Sequence, residues 1–135
     1  LKKSVYLHYI NGFFLLINNQ KIMESNKVDM FLMSNNKFFE SYHLMEIKDL
    51  LTKADDSKLT NIQIQQYKDP TTVLIVSLIA GPLGIDRFMI GDTGLGIAKL
   101  LTCGGLGIWS IIDWFLIMGA TKSKNFEKFV TALNY

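Results

Sequence analysis

The chain has 135 residues, 49% of them hydrophobic, with 14 basic and 12 acidic side chains and a formal net charge of +2. That length fits one domain with an appendage, and a charge so close to zero excludes the strong electrostatic pull of a nucleic-acid binder. The single cysteine, Cys103, excludes an internal disulfide, and with His8 and His43 unclustered there is no zinc-ligand spacing, so no metal or cofactor is expected.

Residues 1–22 join a basic start to a short apolar run, as a signal peptide does. His8, Asn11, Asn18 and Asn19 interrupt or end that run, and no small-x-small cleavage site comes after it. We therefore read 1–22 as a leader or upstream translated segment ahead of Met23. Dropping it removes Lys2, Lys3 and Lys21 and no acid, so the mild basicity is not a functional signal.

Residues 23–67 read as a small helical region. Val28, Phe31 and Leu32 stand at helical spacing in 23–34, and Asn35, Asn36 and Lys37 read as a turn. Leu44, Ile47 and Leu51 then give one apolar face to a helix over 41–53. Asp55 or Asp56 suits the N-cap of a third, short helix that places Leu59, Ile62 and Gln66 on one face. A unit this small is marginal alone, so its apolar stripes are expected to pack on each other and on a membrane surface or the more apolar segment C-terminal to them.

Lys68-Asp69-Pro70 marks a boundary, because the residue before proline is pushed out of the helical region and proline suits a first helical turn. Charge is dense before Pro70 and after Thr121 and sparse between. One apolar run starts at Val73, is interrupted by Gly81 and Pro82, and reaches the length of a membrane span only by continuing to Ile90 through Asp86 and Arg87. A second runs from Leu100 to Met118 and contains Asp113. IWSIIDWFLIM is apolar on almost every face, which leaves it no solvent side. Lysines 53, 58 and 68 before the pair and 122, 124 and 128 after it, against Arg87 and Lys99 between, put both termini on the cytoplasmic side. Residues 122–135 form a basic amphipathic tail with Phe126, Phe129, Val130 and Leu133.

The order Gly84-x-Asp86-Arg87-Phe88, Gly91, Gly96 with Lys99-Leu100-Leu101, Gly104-Gly105-x-Gly107-x-Trp109 and Asp113 resembles the TM2 domain, a small two-helix membrane module of bacteria and animals. The resemblance covers 68–121, with Met89 where the family often has tyrosine. It implies a membrane protein of unknown biochemical activity, here similar to small bacterial members. Animal members carry a cysteine-bearing extracellular part, so the roles proposed for them are not carried over.

The charges have a physical reading of their own. An aspartate at a helix centre in lipid disfavours insertion by about 2.5–3.5 kcal/mol, and such residues face a partner or a water-filled cavity. Asp113, with Ser110 one turn before it, is expected to pair with Arg87 or Lys99, in the same chain or a neighbouring copy; the competing reading has the two cations snorkelling to head groups beside a protonated Asp113. Asp86, Arg87, Lys99 and Asp113 thus form a candidate intramembrane polar cluster. The glycines allow close helix approach and suggest a kinked, re-entrant path near Asp86-Arg87-Phe88, with Trp109 and Trp114 as interface anchors or packing residues.

Enzyme chemistry is not supported. GDTGLGIAK lacks the terminal Gly-Lys-Ser/Thr of a phosphate-binding loop, Arg87 would hold Asp86 ionised against a role in a carboxylate dyad, and Cys103 has no histidine near it in sequence. The sequence therefore predicts an all-α membrane protein. A two-segment transmembrane helical hairpin with Gly-rich kinks occupies 68–121, a small helical cytoplasmic region precedes it at 23–67, and the location is a bacterial inner membrane. Its partners are the lipid bilayer and a second copy or another membrane protein. Its role is that of an interaction or scaffold module, with a homo-oligomeric channel through Asp86, Arg87 and Asp113 as the rival.

Overall fold

The structure, a computed structural model, describes residues 23–102 and 107–135. The expectation for 1–22 and the motif positions Gly104 and Gly105 lie outside the described residues. Among those described, every regular element is helical and no strand occurs. The helices are α1 (Ser25–Asn35), α2 (Ser41–Lys53), α3 (Lys58–Gln63), α4 (Pro70–Ala80), α5 (Ile85–Met89), α6 (Thr93–Leu101) and α7 (Ile108–Asn134), with 3-10 turns at Asn36–Phe38 and Gly81–Leu83.

The first three helices build an ordinary hydrophobic core. Val28 and Phe31 of α1, Ile47 and Leu51 of α2 and Ile62 of α3 are buried together with Met23 and Phe39. The cap expected at Asp55 or Asp56 is absent: Ser57 precedes α3 without a side-chain cap, Asp55 accepts from the Ser57 N–H at 2.8 Å, and Asp56 pairs with Lys27 at 2.8 Å. The core is completed from the far end of the chain, by Phe129 and Ala132 of α7.

α4 starts where Asp69 and Pro70 direct it. The Asp69 carboxylate accepts from the N–H groups of Thr71 (2.9 Å) and Thr72 (3.4 Å), satisfying two of the free donors of the first turn. α7 packs antiparallel to α4, with Lys68 opposite Asn125 and Ser77 opposite Trp114. It runs on through Thr121 as one helix of 27 residues, so the amphipathic tail continues the apolar segment without a break.

The two-segment hairpin gives way to four helical pieces. The first segment does not continue straight to Ile90: the chain reverses at Gly84, whose φ of +70° favours glycine. α5 then runs back so that Ile90 packs with Val73 and Ile117. A second left-handed glycine, Gly91 (φ +84°), turns the chain into α6. The expected second span from Leu100 is likewise divided, because α6 ends at Leu101 and α7 begins at Ile108. Consequently no helix among the described residues is long and apolar enough to cross a membrane. α4 has 11 residues, about 16 Å of rise, and α7 gives way to lysines after Thr121.

Candidate functional site

The site is the interior of the α4–α7 unit, and it is polar. Asp86 (0% exposed), Arg87 (6%), Lys99 (0%) and Asp113 (1%) are all buried. α5 supplies the first two, α6 the third and α7 the fourth. The Lys99 ammonium bridges both acids, 2.8 Å from Asp86 and 2.5 Å from Asp113. Arg87 grips Asp113 with two nitrogens, Nε at 3.1 Å and Nη2 in a very short contact, while its Nη1 reaches Asp92 at 3.2 Å. Asp86 also accepts from Ser77 Oγ at 2.6 Å and from the Arg87 N–H at 3.0 Å. Asp113 therefore meets both of the cations named as its candidate partners, in the same chain. The forked guanidinium and the point-like ammonium suit those roles, since a fork matches one carboxylate and an ammonium can be shared between two.

Small residues make room for this network. A side chain at Gly81 would sit 3.5 Å from Ser77 Oγ and 3.9 Å from Lys99 Nζ, against the end of the lysine. The Trp114 indole N–H closes the same side by donating to the Ser77 carbonyl at 3.2 Å. Gly84 and Gly96 bring α5 and α6 together: a Cβ at Gly84 would lie 2.6 Å from the Gly96 carbonyl oxygen, and one at Gly96 would lie 3.0 Å from the Phe88 ring. Phe88 is thus the packing member of its motif, laid on Gly96.

The remaining motif positions have separate places. Gly91 makes the α5–α6 turn, and Gly107 (φ +90°) precedes α7. Trp109 makes none of the ion pairs but lines, with Arg87 and Asp113, a largely apolar cavity of about 520 Å³. Sequence reasoning missed Ser77, Asp92 and the Trp114 donor. Ser77 carried a usable signal, being the one hydroxyl inside the run VLIVSLIAG.

The outside of the unit has the opposite character. Ile79 (80% exposed), Leu101 (79%), Phe115 (83%) and, to a lesser degree, Ile75, Leu78, Leu83, Ile108, Ile111, Ile112 and Leu116 face outward. Charges lie inside and large apolar side chains outside, the reverse of the α1–α3 core.

Comparison with known proteins agrees on one segment. Residues 66–115 match the family model of the TM2 domain. TM2 domain-containing protein amaretto of Drosophila melanogaster is 53% identical over 47 residues, 35% of this chain and 21% of that protein. TM2 domain-containing protein 2 of Xenopus tropicalis is 49% identical over 47 residues, 35% of this chain and 24% of its own length. TM2 domain-containing protein almondex of Drosophila melanogaster is 51% identical over 47 residues, 35% of this chain and 16% of its own length. The chain thus spans a quarter or less of these relatives, and as animal proteins they lend no support to a bacterial origin. No solved structure matches. Residues 66–115, with the ion-pair network folded inside them, are thus similar to the TM2 domain.

Proposed function

We propose that residues 68–121 form a membrane-embedded module and that the chain serves as a membrane interaction or scaffold module, not as an enzyme. The inverted polarity of the α4–α7 unit carries this reading. An apolar exterior of that size is a liability in water and a match for lipid, where buried charges must pair with one another. Because Lys68 and Asn125 meet at one end of the α4–α7 pair, both flanks emerge on one face, which the lysine bias makes cytoplasmic.

Two measurements test it. Alkaline carbonate should leave the protein in the membrane pellet until detergent is added; release without detergent would refute embedding. In a Cys103→Ser background, Glu127→Cys should react with an impermeant maleimide only from the cytoplasmic side. Leu101→Cys then reports how far the tip reaches, being labelled from the opposite side if the unit crosses and from neither side if it ends within the bilayer.

The channel reading keeps one observation in its favour, the cavity that Arg87 and Asp113 help to line. A pore needs several copies, because Asp86 and Lys99 are sealed inside one chain. A ring-sized assembly in detergent and ion flux in liposomes that Asp113→Asn abolishes would support it, and a monomer or dimer without flux would remove it.

A further inference from the structure

Where the apolar exterior ends, a second cavity of about 210 Å³ opens beside the Gly91 turn, and lysines surround it. Lys68 comes from the segment before α4, and Lys124 and Lys128 from successive turns of α7; Thr121, Asn125 and the Gly91 backbone complete the walls. Among the described residues no carboxylate lines it. Lys124 has an acidic partner, Glu127 at 2.9 Å, beside the cavity. Lys128 donates to the Gln66 carbonyl at 3.1 Å and carries two further N–H donors. Among the described residues no carboxylate lies within 4.0 Å of the Lys68 or Lys128 ammonium.

The cup is shaped in advance. Asn125 is buried and fully engaged, accepting from the Lys68 N–H (2.8 Å) and donating to the carbonyls of Lys68 (2.8 Å) and Phe38 (2.9 Å). These bonds clamp the Lys68 backbone to α7 and bring three lysines from two distant parts of the chain to one cavity. Three lysines lining a cavity with no described acid on its wall, with Asp92 acting on Lys124 from nearby, suit a group with multiple negative oxygens, and on the embedded reading they sit at the level of lipid head groups.

We propose that Lys68, Lys124 and Lys128 bind a phosphate group, supplied by the headgroup of an anionic phospholipid. The assignment of a lipid source rests on the embedded reading above; the phosphate chemistry does not. Basic pockets at this level on the cytoplasmic side hold anionic headgroups, and each lysine near the surface contributes about fivefold in affinity.

The test uses the full chain in nonionic detergent micelles, with the backbone amide resonances of Gly91, Thr121 and Asn125 followed by NMR. Short-chain phosphatidylglycerol, short-chain phosphatidylcholine and inorganic phosphate are titrated separately. Saturable shifts with phosphatidylglycerol at concentrations where phosphatidylcholine has no effect support the lipid source. Equal saturation by inorganic phosphate supports the same site with a soluble ligand. No shift with either anion, or equal response to phosphatidylcholine, overturns the proposal. The K68Q/K128Q pair should weaken binding roughly 25-fold with the helical circular dichroism retained, while Lys128→Arg and the distant Lys48→Gln should bind as the parent does. Unchanged binding in K68Q/K128Q also overturns it, and if that pair does not fold, Lys128→Gln, exposed at the rim, carries the same test. Phosphate binding by a chain that carbonate releases from membranes would sink the embedded reading and leave the site standing.

Discussion

Lys99 and Asp113 meet 2.5 Å apart with essentially no surface exposed, and the same lysine holds Asp86 at 2.8 Å. Two acids and two bases neutralise each other inside a unit whose exterior is apolar. Removing one partner leaves an uncompensated buried charge, which costs about 3–5 kcal/mol. Lys99→Met should therefore lower thermal stability in detergent severely. The double variant K99M/D86N, which removes one charge of each sign, should recover part of the loss. A double variant no more stable than Lys99→Met alone would show that Lys99 and Asp86 are not coupled.

The glycines should separate by what surrounds them. Gly84→Ala combines a left-handed backbone with a Cβ 2.6 Å from the Gly96 carbonyl, and should be the most damaging. Gly91→Ala meets nothing within 4 Å and should cost about 1–2 kcal/mol from its backbone conformation alone. Gly94→Ala, in α6 with open space around it, should be neutral or stabilising by up to about 1 kcal/mol. Melting temperatures of the three variants check the ranking.

Asn125 should matter beyond its size. Its amide joins Phe38, Lys68 and α7, and each buried group left unpaired costs about 1–3 kcal/mol. Asn125→Leu should loosen the joint between the α1–α3 core and the α4–α7 unit. Hydrogen exchange at Phe39 and Lys68 should rise while that at Ile47 changes less; unchanged exchange at all three would remove the joint.

His43 gives the core a pH response. It is buried and stacked on Phe126 with ring centroids 4.2 Å apart, and its Nδ1 has no partner among the described residues. Burial lowers its pKa below the ordinary value of 6.5, outweighing the opposing pull of Glu46 and Glu40. The unfolded chain then takes up the proton first, so the contribution is complete above about pH 6.5 and is lost as pH falls from there toward the lowered folded value. The melting temperature should drop between pH 7 and pH 5 by more in the parent than in His43→Phe, which keeps the stack.

The region of the first three helices was largely legible. Leu44, Ile47 and Leu51 announced α2 over Ser41–Lys53 because an apolar stripe repeating over two turns at i, i+3 and i+7 has one interpretation. Asp69-Pro70 announced the start of α4 for an equally local reason. The path through the apolar stretch was legible in part: the glycines suggested a kinked path near Asp86-Arg87-Phe88, and the chain does break there, but the exact course was not. Whether a run such as Val73 to Ile90 goes straight or doubles back is decided at Gly84, where the φ of +70° is fixed by close approach to Gly96, a contact between distant positions. The charges Asp86, Arg87, Lys99 and Asp113 could be singled out because they are costly where they stand. Their partner Ser77 gave a weaker signal, as the one hydroxyl in its run, since a serine in an apolar run has many cheap fates.

α7 gives the molecule a lever arm. Asp113 and Phe129 lie on one uninterrupted helix, about 24 Å apart at about 1.5 Å per residue. The first is gripped by two cations and the second is wedged in the aromatic core. Neither end can tilt without moving the other.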